Sequence, residues 1–273
     1  MNPITSFIKR YPQGVFWGLN WATWPFGWYM ASKFPSDLWF LFIYFPFLIG
    51  ILITAIVNGR SGLKTFFSRI VRWRVGLRWY AVALFLPPGL RLVAAGLNIL
   101  LGAQMPTNIQ IPTGSELLAN FLFPNFLLIA LGEEPGFRGF ALPRLLVGRS
   151  ALSASLILGV LHAIWHIPLF IFGSDSPMIV PIVISGAVLN TWLFNKTNGS
   201  VLLAMLLHAS IDLMVGIFNP LFTGADAQMH LVMLVIVFVG MAILLPVLFG
   251  KELGRKPEAS TDTLAAEQPA MAR

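Results

Sequence analysis

The nineteen residues Leu231–Phe249, LVMLVIVFVGMAILLPVLF, contain no charged side chain. As a helix rising 1.5 Å per residue they span about 30 Å, the thickness of a bilayer's hydrocarbon core. Leu38–Val57 has the same character. Further apolar runs at 13–32, 80–101, 117–147, 151–172, 178–195 and 200–218 bring the expected number of spans to about eight. Apolar residues make up 57% of the chain and charged residues only 11%, so the reading is an all-α, polytopic membrane protein.

The basic residues orient this bundle. Of eighteen Lys and Arg, all but Lys33 and Arg91 fall at the N-terminus, in Arg60–Arg78, around Arg138–Arg149, at Lys196, or after Phe249. Asp37, Glu116, Asp175 and Asp226 occupy the alternate connections. By the positive-inside rule both termini are expected in the cytoplasm of a bacterial or archaeal cell, with the protein in its plasma membrane. The first apolar run follows Lys9 and Arg10 but is full length and lacks a small-residue cleavage site, so it reads as a retained span. Residues 61–79 alternate apolar and basic positions, as an interfacial amphipathic helix does. One transmembrane domain is expected over 1–250, and the polar stretch 251–273 reads as a disordered cytoplasmic tail.

The net charge of +7 reflects orientation and lipid contact. No nucleic-acid motif accompanies it, and the bilayer is the expected partner. With no cysteine in the chain, disulfides, thiolate metal sites and cysteine nucleophiles are excluded.

Three of the eleven acidic residues lie inside apolar runs. They share short motifs with three of the four histidines: Glu133-Glu134-Pro-Gly-Phe-Arg138, His162-Ala-Ile-Trp-His166 and His208-Ala-Ser-Ile-Asp212. Ionisable groups are costly in hydrocarbon, and one intramembrane polar chamber explains all of them together. Glu134 and Arg138 have the i, i+4 spacing of an ion pair, which leaves Glu133 as the free proton acceptor. His162 and His166, like His208 and Asp212, share a helical face, a spacing that suits metal coordination or acid–base work. His230 starts the last span and needs no special role. If 117–147 and 151–172 form a hairpin about Gly148-Arg149-Ser150, then Glu133 and His166 lie level, about 24 Å from its tip. A straight helix over 117–147 would be about 47 Å long, so a tilt or bend is expected, with Pro124, Pro135 and Pro143 as candidates.

Together the motifs resemble the CAAX-protease and bacteriocin-processing family (CPBP, or Abi), which includes the Ras-converting type of prenyl-protein endopeptidase. The resemblance implies an intramembrane endopeptidase in which Glu133 and His166 activate a water and His208 and Asp212 stabilise the oxyanion, with Glu134 and Arg138 in support. Its substrate would be a peptide or membrane protein. Ligand chemistry leaves two routes open, one metal-free and one with a divalent metal, zinc, on Glu133, His166 and His208. Two positions depart from the family pattern. His162 stands where an aromatic is usual, and reads as bystander, supporting partner or added ligand. Asp212 stands where the prenyl-protein proteases have Asn; an ionised carboxylate cannot donate to an oxyanion, so Asp212 orients His208 or binds metal. The same ionisable residues also suit a transporter or channel relay, or a catalytically idle binding or immunity protein.

Overall fold

In the computed structural model, residues 2–34, 42–107, 109, 112–171 and 176–256 are described, and among them every regular element is helical. Backbone polar groups in a bilayer must be satisfied within the chain, and a helix does so segment by segment. Short α1 (Pro3–Arg10) is followed by α2 (Pro12–Lys33), α3 (Phe45–Ile70) and α4 (Leu77–Leu100). The composite helix α5 (Gly114–Leu145) comes next. It is followed by α6 (Ala151–Ile171), α7 (Val180–Lys196), α8 (Val201–Phe218) and α9 (Gly224–Phe249).

Seven of these, α3 to α9, are long and apolar enough to cross a membrane, against about eight expected. The difference is α2, which is 22 residues long but carries Gln13, Asn20 and several glycines. Its inward face serves α5 rather than lipid. Phe16 stacks on Phe140 with ring centroids 4.8 Å apart, Trp17 stacks on Phe137 at 5.5 Å, and Gln13 donates to the Ala141 carbonyl at 2.6 Å. These contacts run α2 antiparallel to α5.

Residues 61–79, expected as one interfacial helix, divide between two helices and the connection that joins them. Its first part continues α3 past Gly59, whose φ of 61° and ψ of −151° bend the helix in a conformation open only to glycine. Helix α3 ends at Ile70, and a non-helical connection leads to α4 at Leu77. Beyond the bend, Phe66 and Arg69 are buried, and Arg69 Nη1 donates to the Gly139 carbonyl at 3.4 Å. One face therefore packs on α5.

The expected bending of 117–147 takes the form of two π-helical stretches, Phe121–Ala130 and Pro135–Ala141, separated by the single α turn Leu131–Glu134. Pro124 lies within the first and Pro135 opens the second. A proline cannot donate to the carbonyl one turn back, and a wider turn accommodates that loss.

The chain's two described ends lie toward the same end of the bundle. Gln13 meets Ala141, while the Leu152 amide donates to the Lys251 carbonyl at 2.9 Å, both beside the Gly148 turn. The first residues of the expected tail are packed: Leu253 is fully buried, and Arg255 donates to the carbonyls of Leu146 and Arg149. The bond to Leu146 caps the C-terminus of α5, and the bond to Arg149 fixes the connection that follows it. The rest of that expected tail, 257–273, and the loop acids Asp37 and Asp175 lie outside the described residues.

At the opposite end, Asp226 accepts from the Gln104 amide and its carbonyl accepts from Asn98. Arg91 and His230, which sequence left without a role, are buried there; Arg91 donates to Asn219 Oδ1 at 3.1 Å and His230 packs on Phe222.

Candidate functional site

Helices α5, α6 and α8 carry the three motifs, and side-chain contacts tie them together. Glu133 and Glu134 occupy the α turn between the two π-helical stretches and are both buried. Helix α3 approaches this turn closely. A Cβ added to Gly132 would lie 2.7 Å from the Ile43 carbonyl oxygen, and one added to Gly136 would collide with that of Pro46. Glycines four apart thus let the α3 backbone rest on α5 beside the two carboxylates, a small-residue contact common between membrane helices.

The adjacent carboxylates serve different imidazoles. Glu133 Oε2 accepts from His162 Nε2 at 3.1 Å. Glu134 Oε1 accepts from Arg138 Nη1 and from His208 Nδ1, each at 2.7 Å. The i, i+4 pairing of Glu134 with Arg138 matches its sequence spacing; the His208 contact, 74 residues away, has no local signal. On the other side of its ring, His208 Nε2 lies 3.3 Å from Asp212 Oδ2. Two carboxylates flanking one imidazole are both satisfied only when both ring nitrogens carry protons.

His166 is held differently. Its Nδ1 donates to the His162 carbonyl at 3.0 Å, leaving Nε2 with a lone pair. The rings of His162 and His166 are 4.8 Å apart, and those of His162 and His208 6.5 Å. His162 also packs on Phe137 at 4.4 Å, so the aromatic cluster that docks α2 reaches the site.

The levelling of Glu133 with His166 is thereby corrected by one turn: the residue bonded to Glu133 is His162, nearer the hairpin tip. A π-helical turn holds more residues and advances less per residue. The stretch Pro135–Ala141 therefore brings Glu133 closer to the tip than an α-helix would. The sequence signal was present in Pro135, which marks where the regular rise fails.

A divalent metal on Glu133, His166 and His208 does not fit the side chains as they are arranged. Glu133 faces His162, and both nitrogens of His208 face carboxylates, so His208 offers no lone pair. Among the described residues no three His, Cys, Asp or Glu side chains are grouped to hold a metal ion. Glu134 Oε2, Arg138 Nε and His162 Nδ1 are buried with no protein hydrogen-bond partner among the described residues, so each has bonding capacity left for a water or a ligand.

Fold and side chains together define an all-α, multi-pass membrane protein in which three apolar helices bring two glutamates, an arginine, three histidines and an aspartate into contact. Residues 115–214 match the family model described as Type II CAAX prenyl endopeptidase Rce1-like, an interval that contains all seven. The chain is also similar to CAAX prenyl protease 2 of Methanococcus maripaludis, with 28% identity over 185 residues, covering 62% of this chain and 67% of that protein. Over the region that carries the motifs, the chain is similar to the Rce1-like CAAX proteases.

Proposed function

We propose that this protein is an intramembrane endopeptidase that hydrolyses a peptide bond with a water activated between Glu133 and His166, inside a polar chamber formed by α5, α6 and α8. The observation that carries the reading is the division of labour between the adjacent glutamates, one paired with His162 and the other with His208 and Arg138. In this proposal Glu133 removes a proton from the water as its oxygen bonds to the peptide carbonyl carbon, and delivers it to the amine as the C–N bond breaks. His166 Nε2 accepts the water's other hydrogen and aims the oxygen. The developing oxyanion accepts a hydrogen bond from His208 Nε2–H in place of Asp212, whose contact is the longer of the two on that ring. Arg138 and His208 Nδ1 both bond to Glu134 Oε1, and that bond fixes the His208 ring with its Nε2 turned toward Asp212.

Zinc on Glu133, His166 and His208 is a separate proposal that no step above needs. It would polarise water and carbonyl when bound, and it requires His208 to leave one of its carboxylates. Metal analysis of purified protein tests it, with one equivalent lost on His166→Ala supporting it. The proposed substrate is a peptide or membrane-protein segment, and the name of the Methanococcus relative adds prenylated CAAX-type C-termini to the candidates. Hydrolysis and ion flux measured side by side in proteoliposomes separate this reading from a proton or ion relay; flux with no hydrolysis of any offered peptide would reject it.

A further inference from the structure

Five cations, Arg72, Arg74, Arg78, Lys196 and Lys256, line one cavity of about 960 Å³ at the basic end of the bundle. They come from the connection before α4, the start of α4, the end of α7 and the residues after α9. No carboxylate lies within ion-pair reach of any of them among the described residues, and Glu252 pairs instead with Arg255 at 2.5 Å. The walls are fixed to one another: Ser200 donates to the Arg72 carbonyl at 2.7 Å, and Asn195 to the Glu252 carbonyl at 3.2 Å. The cavity also has an aromatic side. Trp79 and Trp192 meet edge to face at 5.6 Å, the Arg78 guanidinium lies 5.0 Å from the Trp79 ring, and the Lys196 ammonium 4.6 Å from that of Phe249.

Positive-inside orientation accounts for basic residues at this end of the bundle. It does not account for five of them converging on one concavity from three separated segments of the chain. Like charges so placed repel, and an anion relieves the repulsion. The ligand chemistry is a phosphate oxyanion, for which guanidinium forks and ammonium groups are suited. A free phosphate and a phospholipid headgroup share it. Tryptophans beside the cations are the pattern of a membrane–water interface, where a headgroup sits with its acyl chains against apolar walls. We propose that this cavity is a binding site for an anionic phospholipid headgroup, distinct from the motif residues.

The test compares the full chain in nanodiscs of phosphatidylcholine with and without phosphatidylglycerol, reading the unfolding midpoint and the phosphatidylglycerol retained per protein. Phosphatidylglycerol should raise the midpoint of the wild type and of Arg10→Gln/Lys64→Gln, which removes the same charge elsewhere. The cavity variant Arg78→Gln/Lys196→Gln should lose the response, with affinity lower by about thirtyfold if each cation contributes as it does at an anionic surface. If that variant does not fold, Arg74→Gln/Lys256→Gln, at exposed positions, takes its place. Inorganic phosphate at matched ionic strength should leave the midpoint unchanged. The site is overturned if cavity and control variants respond alike, and the lipid assignment is overturned if inorganic phosphate reproduces the whole shift.

Discussion

His162 carries the first revision at the residue scale. By sequence it reads as bystander, supporting partner or added ligand, and its ring holds Glu133 at 3.1 Å. A hydrogen bond to a charged group is worth about 1.5–3 kcal/mol. If that orientation is expressed at the transition state, His162→Phe should lower kcat by about ten- to a hundredfold. His162→Gln, which can still donate, should recover part of the loss. Equal kcat for wild type and His162→Phe would return His162 to bystander status. Asp212 is a different case, because it lies on the far side of His208 from Glu134. Asp212→Asn can still accept from the imidazole, and its amide adds a donor, so substantial turnover is expected. Asp212→Ala should be slower by at least an order of magnitude, about 1.4 kcal/mol. Inactivity of Asp212→Asn together with loss of bound metal would make Asp212 a ligand.

Helix α5 shows why part of the site was legible in the sequence and part was not. Glu134 with Arg138, and His208 with Asp212, are visible because i, i+4 spacing is a local property of any helix. The Glu133–His162 and Glu134–His208 bonds depend on how three helices are set against each other, and that setting turns on the π-helical stretches and on close approach at Gly132 and Gly136. Helix existence followed from apolar runs; the bend at Gly59 joined two segments that composition separates. The approach at Gly136 is testable. Gly136→Ala drives a methyl into the Pro46 backbone, which cannot rotate away, at a cost of about 1–3 kcal/mol or more. Its unfolding midpoint should fall and activity should fall with it. Gly186→Ala, where an added Cβ has open space, should leave both unchanged. A fully stable Gly136→Ala would show that α3 does not rest there.

For the whole molecule, the two described ends of the chain lie at the same end of the bundle, beside the basic connections. The positive-inside rule would make that end cytoplasmic. Because the chain has no cysteine, single cysteines report location directly. In intact cells a membrane-impermeant thiol reagent should label Ser115→Cys, at the opposite start of α5, and spare Ser6→Cys and Ser68→Cys. The reverse pattern would invert the topology. The chemistry is divided along the bundle: the motif residues lie within the helices, and the cation-lined cavity lies at the basic end.

The central claim is that Glu133, His166 and His208 act as one hydrolytic unit, and turnover of a cleavable peptide by purified protein in proteoliposomes tests it most directly. Glu133→Gln, His166→Ala and His208→Ala should each reduce kcat by several orders of magnitude, as groups acting together do, while the protein stays folded. Near-normal hydrolysis by any one of the three folded variants would contradict the role assigned to that residue and, with it, the proposed mechanism.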